Sequence, residues 1–154
     1  MSEDLREANA SDVSAIRELT RAAYAKWVPV IGREPKPMGA DYEAAVRAHR
    51  FDLLYRDGRL AALVETITHP DHLLIENLAV LPACQGLGLG RRLMAHVENL
   101  AAALGFAEVR LYTNKLFAEN VAFYARLGYR LFREEEWPGR GIAVHMSKAI
   151  DKKT

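Results

Sequence analysis

Seven consecutive residues, Gln85-Gly86-Leu87-Gly88-Leu89-Gly90-Arg91, carry the clearest chemical signal in the chain. Glycines let successive backbone N–H groups converge without interference from Cβ atoms, and a helix beginning directly afterwards adds unpaired donors and a positive dipole end. Such a turn suits a pyrophosphate; a tight turn with no ligand is the plainer alternative, because glycine repeats alone are weak evidence. Spacing excludes two nucleotide-binding motifs. A Walker loop needs Lys and Ser/Thr after its second glycine, but Arg91 and Arg92 stand here. A Rossmann fingerprint needs Gly-x-Gly-x-x-Gly, and its third glycine falls on Arg91 or Leu93.

Glu76 is the other residue whose placement points to chemistry, as the only ionisable group in the apolar run 73–80. Burial raises a carboxyl's pKa towards the range of a general base, whereas a place at a splayed sheet edge leaves it solvated. The remaining candidates are weaker. His69 and His72 are separated by Pro70-Asp71, and no further His or Cys follows at metal-ligand spacing, so no metal is expected. Cys84 precedes the glycine turn but has no neighbouring histidine to activate it as a nucleophile. His96 falls off its helix's apolar stripe and His145 lies in the last strand, which predicts surface and core placement.

These residues need elements to hold them. Residues 5–8 read as a short strand, and Ser11 or Asp12 as the cap of a helix with Val13, Ile16, Leu19 and Ala23 inward. Residues 27–39 hold three prolines and two glycines, which predicts a loop, and 41–49 a weak helix. Runs 52–55 and 60–67 flank Asp57-Gly58 and predict an antiparallel hairpin. The apolar run 73–80 predicts a central strand covered on both faces and leading into the glycine turn. Residues 91–104 then read as a helix with Leu93, Val97, Leu100 and Leu104 on one stripe and Gly105 ending it. With a strand at 109–113 this makes a right-handed crossover between parallel or nearly parallel strands. A helix at 118–127 ends at Gly128, and strands at 129–132 and 142–146 surround a loop at 134–141.

Composition bounds the class of protein. The chain has 154 residues, half of them apolar, enough for one domain spanning 1–154 with a real core but not for two catalytic domains. Its 21 basic and 20 acidic residues leave no global field for nucleic acid or an anionic membrane. The polar start and the lack of a long apolar run argue against secretion and membrane spanning. A single cysteine suits a reducing compartment, and the cytoplasm is the expected location. A homodimer is left open.

Gln85, Gly88 and Gly90 fit the pattern Gln/Arg-x-x-Gly-x-Gly/Ala, and the segment Asn120-Val121-Ala122-Phe123-Tyr124-Ala125-Arg126-Leu127-Gly128-Tyr129 supplies a second block, an asparagine with a tyrosine four residues on and a Gly-Tyr end. In these two blocks, in this order, the chain resembles the GNAT family of N-acetyltransferases over nearly its whole length. The resemblance implies a single-domain α/β fold, a mixed, mostly antiparallel central sheet with helices on both faces. It implies acetyl-CoA as co-substrate and an amine as acceptor. It places pantetheine along the backbone of Leu78, Ala79 and Val80, the thioester near Asn77 and Leu78, and the pyrophosphate within Gln85, Gly86, Leu87, Gly88, Leu89, Gly90 and Arg91.

Acetyl transfer needs a neutral amine, a polarised carbonyl and a proton for the leaving thiolate. The resemblance assigns the proton to Tyr124, whose ordinary pKa of about 10 is near the roughly 8.5 of a thiol. Spacing alone would have assigned its ring to packing. Asn120 either bonds the coenzyme arm or caps its helix, and Glu76 is the base candidate beside water. Tyr24, Trp27 and Trp137, from the segments around 27–38 and 134–141, are expected to line the acceptor pocket. Glu134, Glu135 and Glu136 are expected to solubilise their loop. Direct transfer in a ternary complex to a small-molecule amine is the favoured reading. A protein N-terminus or lysine as acceptor, and a non-catalytic acyl-CoA sensor, are the alternatives; the retained Tyr124 argues against the sensor.

Overall fold

Asp57 and Gly58 take φ values of 51° and 79° in the computed structural model, which describes residues 2–151. Left-handed backbone at both central positions matches the twist of a two-residue hairpin. The turn folds β2 (Arg50–Arg56) back on β3 (Arg59–Thr68), antiparallel as the sequence predicts. β1 (Glu3–Glu7) runs antiparallel to β2 on its other side. Four further strands follow: β4 (Leu73–Val80), β5 (Glu108–Asn114), β6 (Arg130–Trp137) and β7 (Gly141–Ala149). The seven form one mostly antiparallel sheet, flanked by helices, in the order β1-β2-β3-β4-β5-β7-β6. β4 and β5 are parallel, with Leu73, Leu74 and Ile75 in register with Val109, Arg110 and Leu111, and that register stops before Asn77.

The chain gathers into two compact units, Met1–Ile67 with Asn77–Met94, and Thr68–Glu76 with Ala95–Thr154. In the first, the core joins Ile16, Leu19 and Ala23 of α1 (Val13–Tyr24) to Phe51, Leu53, Leu63 and Ala79 of the strands and Tyr42 of α3 (Tyr42–Ala48). Neither Ser11 nor Asp12 caps α1 by itself. Asn9 takes that place: its side chain accepts from the Ser11 N–H at 2.9 Å, while Asp12 Oδ2 accepts from the Asn9 N–H at 2.8 Å. This reciprocal box opens a short 3₁₀ turn that runs on into α1. Arg6 then clamps Asp12 through both guanidinium nitrogens and holds its carboxyl below the usual carboxylate range.

The proline-rich segment is not the loop the sequence predicts. Pro29 sits in the first turn of α2 (Val28–Ile31), where its missing N–H costs nothing, and Gly32 ends that helix at φ 74°. A 3₁₀ turn, Lys36–Gly39, follows. Arg21 fixes the segment by donating to the Met38 carbonyl at 2.8 Å and to Glu34 at 2.7 Å, and the Tyr42 hydroxyl donates to the Pro37 carbonyl at 2.6 Å. Trp27 and Met38 are buried.

The second unit is built on β5, β6 and β7, with β7 antiparallel to both others. β6 extends to Trp137, so Glu134, Glu135 and Glu136 belong to a strand instead of a loop. It is an outer strand of the sheet, where charged side chains on both faces discourage pairing with another chain. α4 (Leu89–Ala103) buries Leu93, Val97 and Ala101, and Leu104 is 55% exposed just past its end instead of continuing the stripe. Gly105, at φ 85°, turns the chain there. α5 (Ala118–Arg126) completes the unit. Among the described residues no helix is long and apolar enough to cross a membrane.

Candidate active site

The first unit holds the glycine turn. β4 passes through a 3₁₀ turn, Pro82–Cys84, into residues 85–88, and α4 begins at Leu89. Gly86 and Gly88 adopt φ of 82° and 81°, which a side chain would strain, and a Cβ built on either meets nothing within 4 Å. Glycine is needed here for conformation, and not because a neighbour crowds the position. The Arg92 N–H bonds the Gly88 carbonyl at 3.0 Å, so the N–H groups of Leu89, Gly90 and Arg91 come before the first intrahelical bond of α4. Gln85 reaches back to the Val80 carbonyl at 3.3 Å and ties the turn to the end of β4. Arg91 is exposed, whereas Arg92 pairs with Glu3. An exposed arginine beside N–H groups that precede a helix's first intrahelical bond has the chemistry to bind a multiply charged phosphate.

Burial alternates along β4. Leu73, Ile75, Asn77 and Ala79 are buried and Leu74, Glu76, Leu78 and Val80 half-buried, so only one face is sealed, against the expectation of two. Asn77 is held by Tyr24, whose hydroxyl donates to Asn77 Oδ1 at 2.9 Å. Of the expected pocket residues in this unit, Tyr24 therefore meets β4, while Trp27 is packed into the core at 6% exposure.

The second unit holds Glu76, Tyr112 and Trp137 together. Glu76 and Tyr112 each follow the last pair of the parallel register, Ile75 and Leu111, and the Tyr112 hydroxyl donates to the Glu76 carboxylate. Trp137, at the end of β6 and half-buried, packs edge-on against the Tyr112 ring at 5.1 Å. Glu76 is accordingly half-buried and hydrogen-bonded, between the two environments the sequence left open for it. Tyr112 was not singled out by sequence, because its pairing with Glu76 depends on a register between strands that periodicity does not contain. Glu135 faces His145, which bonds it at 3.0 Å, and its carboxyl is held below the usual range by hydrogen bonds from Trp137 and His145.

Tyr124 lies in α5 at 7% exposure, its ring against Phe123 and Tyr129, and among the described residues no group hydrogen-bonds its hydroxyl. Burial pushes that hydroxyl well above the ordinary tyrosine value. Tyr129 is pushed up likewise, by burial and then by the Glu98 carboxylate. Asn120 does not cap α5. Phe117 occupies the cap position, and Asn120 lies inside the first turn, half-buried. Capping, one of its two expected roles, is thereby removed.

The raised tyrosines have a signature in solution. Each ionises at higher pH folded than unfolded, so their contribution to stability is complete below about pH 10 and is lost as pH rises above it. An absorbance titration of tyrosinate should withhold at least the amplitude of Tyr124 and Tyr129 until the protein unfolds. Tyr124→Phe should remove one tyrosine's share of that withheld step. Full amplitude from all six tyrosines while the fold persists would contradict the burial of both.

Residues 13–129 match the acetyltransferase (GNAT) family. A stretch of 71 residues is 39% identical to N-alpha-acetyltransferase 80 of Mus musculus; it covers 46% of this chain and 21% of that protein. The ribosomal-protein-S18-alanine N-acetyltransferase of Escherichia coli has the same fold, with a TM-score of 0.80 at 22% identity over 99% of this chain and 97% of that one. So has the PaiA N-acetyltransferase of Thermoplasma acidophilum, solved in complex with coenzyme A, with a TM-score of 0.76 at 18% identity over 97% and 99% of the two chains. With its glycine turn at the end of β4 and a family match reaching from α1 to Tyr129, the chain belongs to the acetyltransferase (GNAT) family, a family of acetyl-CoA-dependent acetyltransferases.

Proposed function

We propose that the protein moves the acetyl group of acetyl-CoA directly to a primary amine within a ternary complex. The observation that carries this reading is the left-handed turn at Gly86 and Gly88 running into the N–H groups that precede the first intrahelical bond of α4. In this reading Gln85, Gly86, Leu87, Gly88, Leu89, Gly90 and Arg91 hold the pyrophosphate by backbone donors and one guanidinium. Leu78, Ala79 and Val80 offer backbone groups to the pantetheine arm, and Asn120 bonds that arm from α5. The amine nitrogen attacks the thioester carbonyl carbon, the C–S bond breaks, and the sulfur takes the proton of the Tyr124 hydroxyl. Glu76, or water beside it, takes the proton that the nitrogen sheds. Tyr112 steadies Glu76 by its hydrogen bond, and Trp137 gives the acceptor an apolar wall. The unpaired Cys84 is consistent with a cytoplasmic setting.

A small-molecule amine is the first reading of the acceptor, supported by residues 25–42 being tied into ordered turns by Arg21 and Tyr42 instead of lying open as a trough. The likeness to N-alpha-acetyltransferase 80 supports a second, a protein N-terminal amine. A panel of small primary amines and short peptides with free N-termini, with thiol release from acetyl-CoA as the readout, tests both. Release that depends on one class of amine is expected. Equal release with and without any amine, or none with the whole panel, would overturn the proposal.

A further inference from the structure

Glu134, Glu135 and Glu136 follow one another on β6 but keep different company. Alternation along the strand puts Arg133, Glu135 and Trp137 on one face, and the register carries that face across His145 of β7 to Tyr112 of β5. Glu134 instead pairs with Lys115 at 3.1 Å. Three donors converge on the Glu135 carboxylate: His145 Nε2 at 3.0 Å, Arg133 at 3.4 Å, and the indole N–H of Trp137. An ionised carboxylate can only accept, so His145 Nε2 carries a proton. A glutamate kept for solubility needs no such set of partners. Two of its donors are also the rings packed against Tyr112, with centroids 5.1 Å away for Trp137 and 5.8 Å for His145. Tyr112 in turn gives its hydroxyl proton to a hydrogen bond with Glu76.

We infer that Glu135 is a positioning residue for the acceptor: it fixes Trp137 and His145 by their ring N–H groups, and through them the Tyr112 ring that aims a hydroxyl at Glu76. The inference rests on the reading above, in which Glu76 receives the amine's proton and Trp137 walls the acceptor. Packing alone leaves a tryptophan more than one ring orientation, because χ2 is broad and roughly two-fold. A flip about χ2 swings the N–H away from Glu135. The bond therefore selects one orientation, and the same carboxylate holds the imidazole through the proton on Nε2. Tyr112 then packs against two rings that are themselves tethered, so the direction of its hydroxyl is set before an amine arrives. Such placement counts, since a misplacement of about 1 Å costs a reaction about 10²-fold. Glu135 itself moves no proton in this scheme.

Glu135→Ala, Glu135→Gln and Glu136→Ala in the full chain test this, with an amine that the wild type acetylates. Glu135→Ala should lower kcat/KM for the amine by about 10²-fold, with KM for acetyl-CoA nearly unchanged. Glu135→Gln keeps an acceptor oxygen without the charge and should recover most of that loss. Glu136→Ala, on the other face of β6, should behave as the wild type. A ¹H–¹⁵N spectrum reads the positioning itself: of the indole N–H signals of the two tryptophans, one should shift and exchange faster with water in Glu135→Ala. Trp137→Phe assigns that signal. It also lacks the N–H while keeping a ring, so that if Glu135→Ala does not fold, an undiminished kcat/KM in Trp137→Phe would overturn the inference. A folded Glu135→Ala protein with the wild-type kcat/KM for the amine would overturn it too, and equal losses in the Ala and Gln variants would do so by assigning the effect to charge. Failure of the underlying reading looks different: the wild type acetylates no amine, and both proposals fall whether or not the indole signal shifts.

Discussion

Tyr124→Phe is expected to lower turnover by about 10²- to 10⁴-fold, the range for losing a positioned acid or base, while folding and CoA binding survive. The substitution removes one hydroxyl that hydrogen-bonds nothing among the described residues, and it keeps the ring in place against Phe123 and Tyr129. No partner is stranded, so thermal stability should hold or rise slightly. The structure also changes the argument for this residue. Sequence reasoning set a tyrosine of ordinary pKa beside a thiol of similar pKa, but burial raises Tyr124 and widens the gap between them. The hydroxyl therefore stays protonated across the working pH range and gives up its proton only as negative charge builds on sulfur. A donor with a more acidic thiol needs less of that help and should suffer a smaller loss. KM for acetyl-CoA should change little. Turnover within about threefold of the wild type, with chemistry rate-limiting, would return Tyr124 to packing and leave water as the proton donor.

What the sequence made legible was local. The glycine turn, the hairpin at Asp57-Gly58, β4, and the α4 and α5 helices follow from turn residues and periodicity that a single segment contains. The segment 27–39 was misread because its prolines and glycines place helical starts and stops, and the anchors that order it, Arg21 and Tyr42, lie outside it. β6 was cut short because Glu134, Glu135 and Glu136 break the alternation expected of a half-buried strand; an outer strand needs no such alternation. At the site, Glu76 and Tyr124 were visible as residues, while their surroundings were not. Tyr112 reaches Glu76 through strand register, and Tyr24 reaches Asn77 from the end of α1, 53 positions away. Distances of that kind are set by tertiary packing and leave no trace in spacing.

Gly88→Glu should abolish binding of CoA. Wild-type protein is expected to gain about 2.7 kcal/mol of stability at a CoA concentration of 100 Kd, with no comparable shift from NAD or ATP. A Cβ at position 88 would meet nothing within 4 Å, and a Glu there would bring a carboxylate to the turn where the pyrophosphate is proposed to sit. It also forces a non-glycine residue to φ 81°, at a cost of about 1–2 kcal/mol that must be separated from any effect on the ligand. Gly88→Ala carries the same strain without the charge or the length. Calorimetric titration of CoA into wild type, Gly88→Ala and Gly88→Glu is therefore the most direct test that this turn is the coenzyme site. The expected result is a binding heat kept, if weakened, in Gly88→Ala and lost in Gly88→Glu. A folded Gly88→Glu protein that titrates with the wild-type Kd would contradict it.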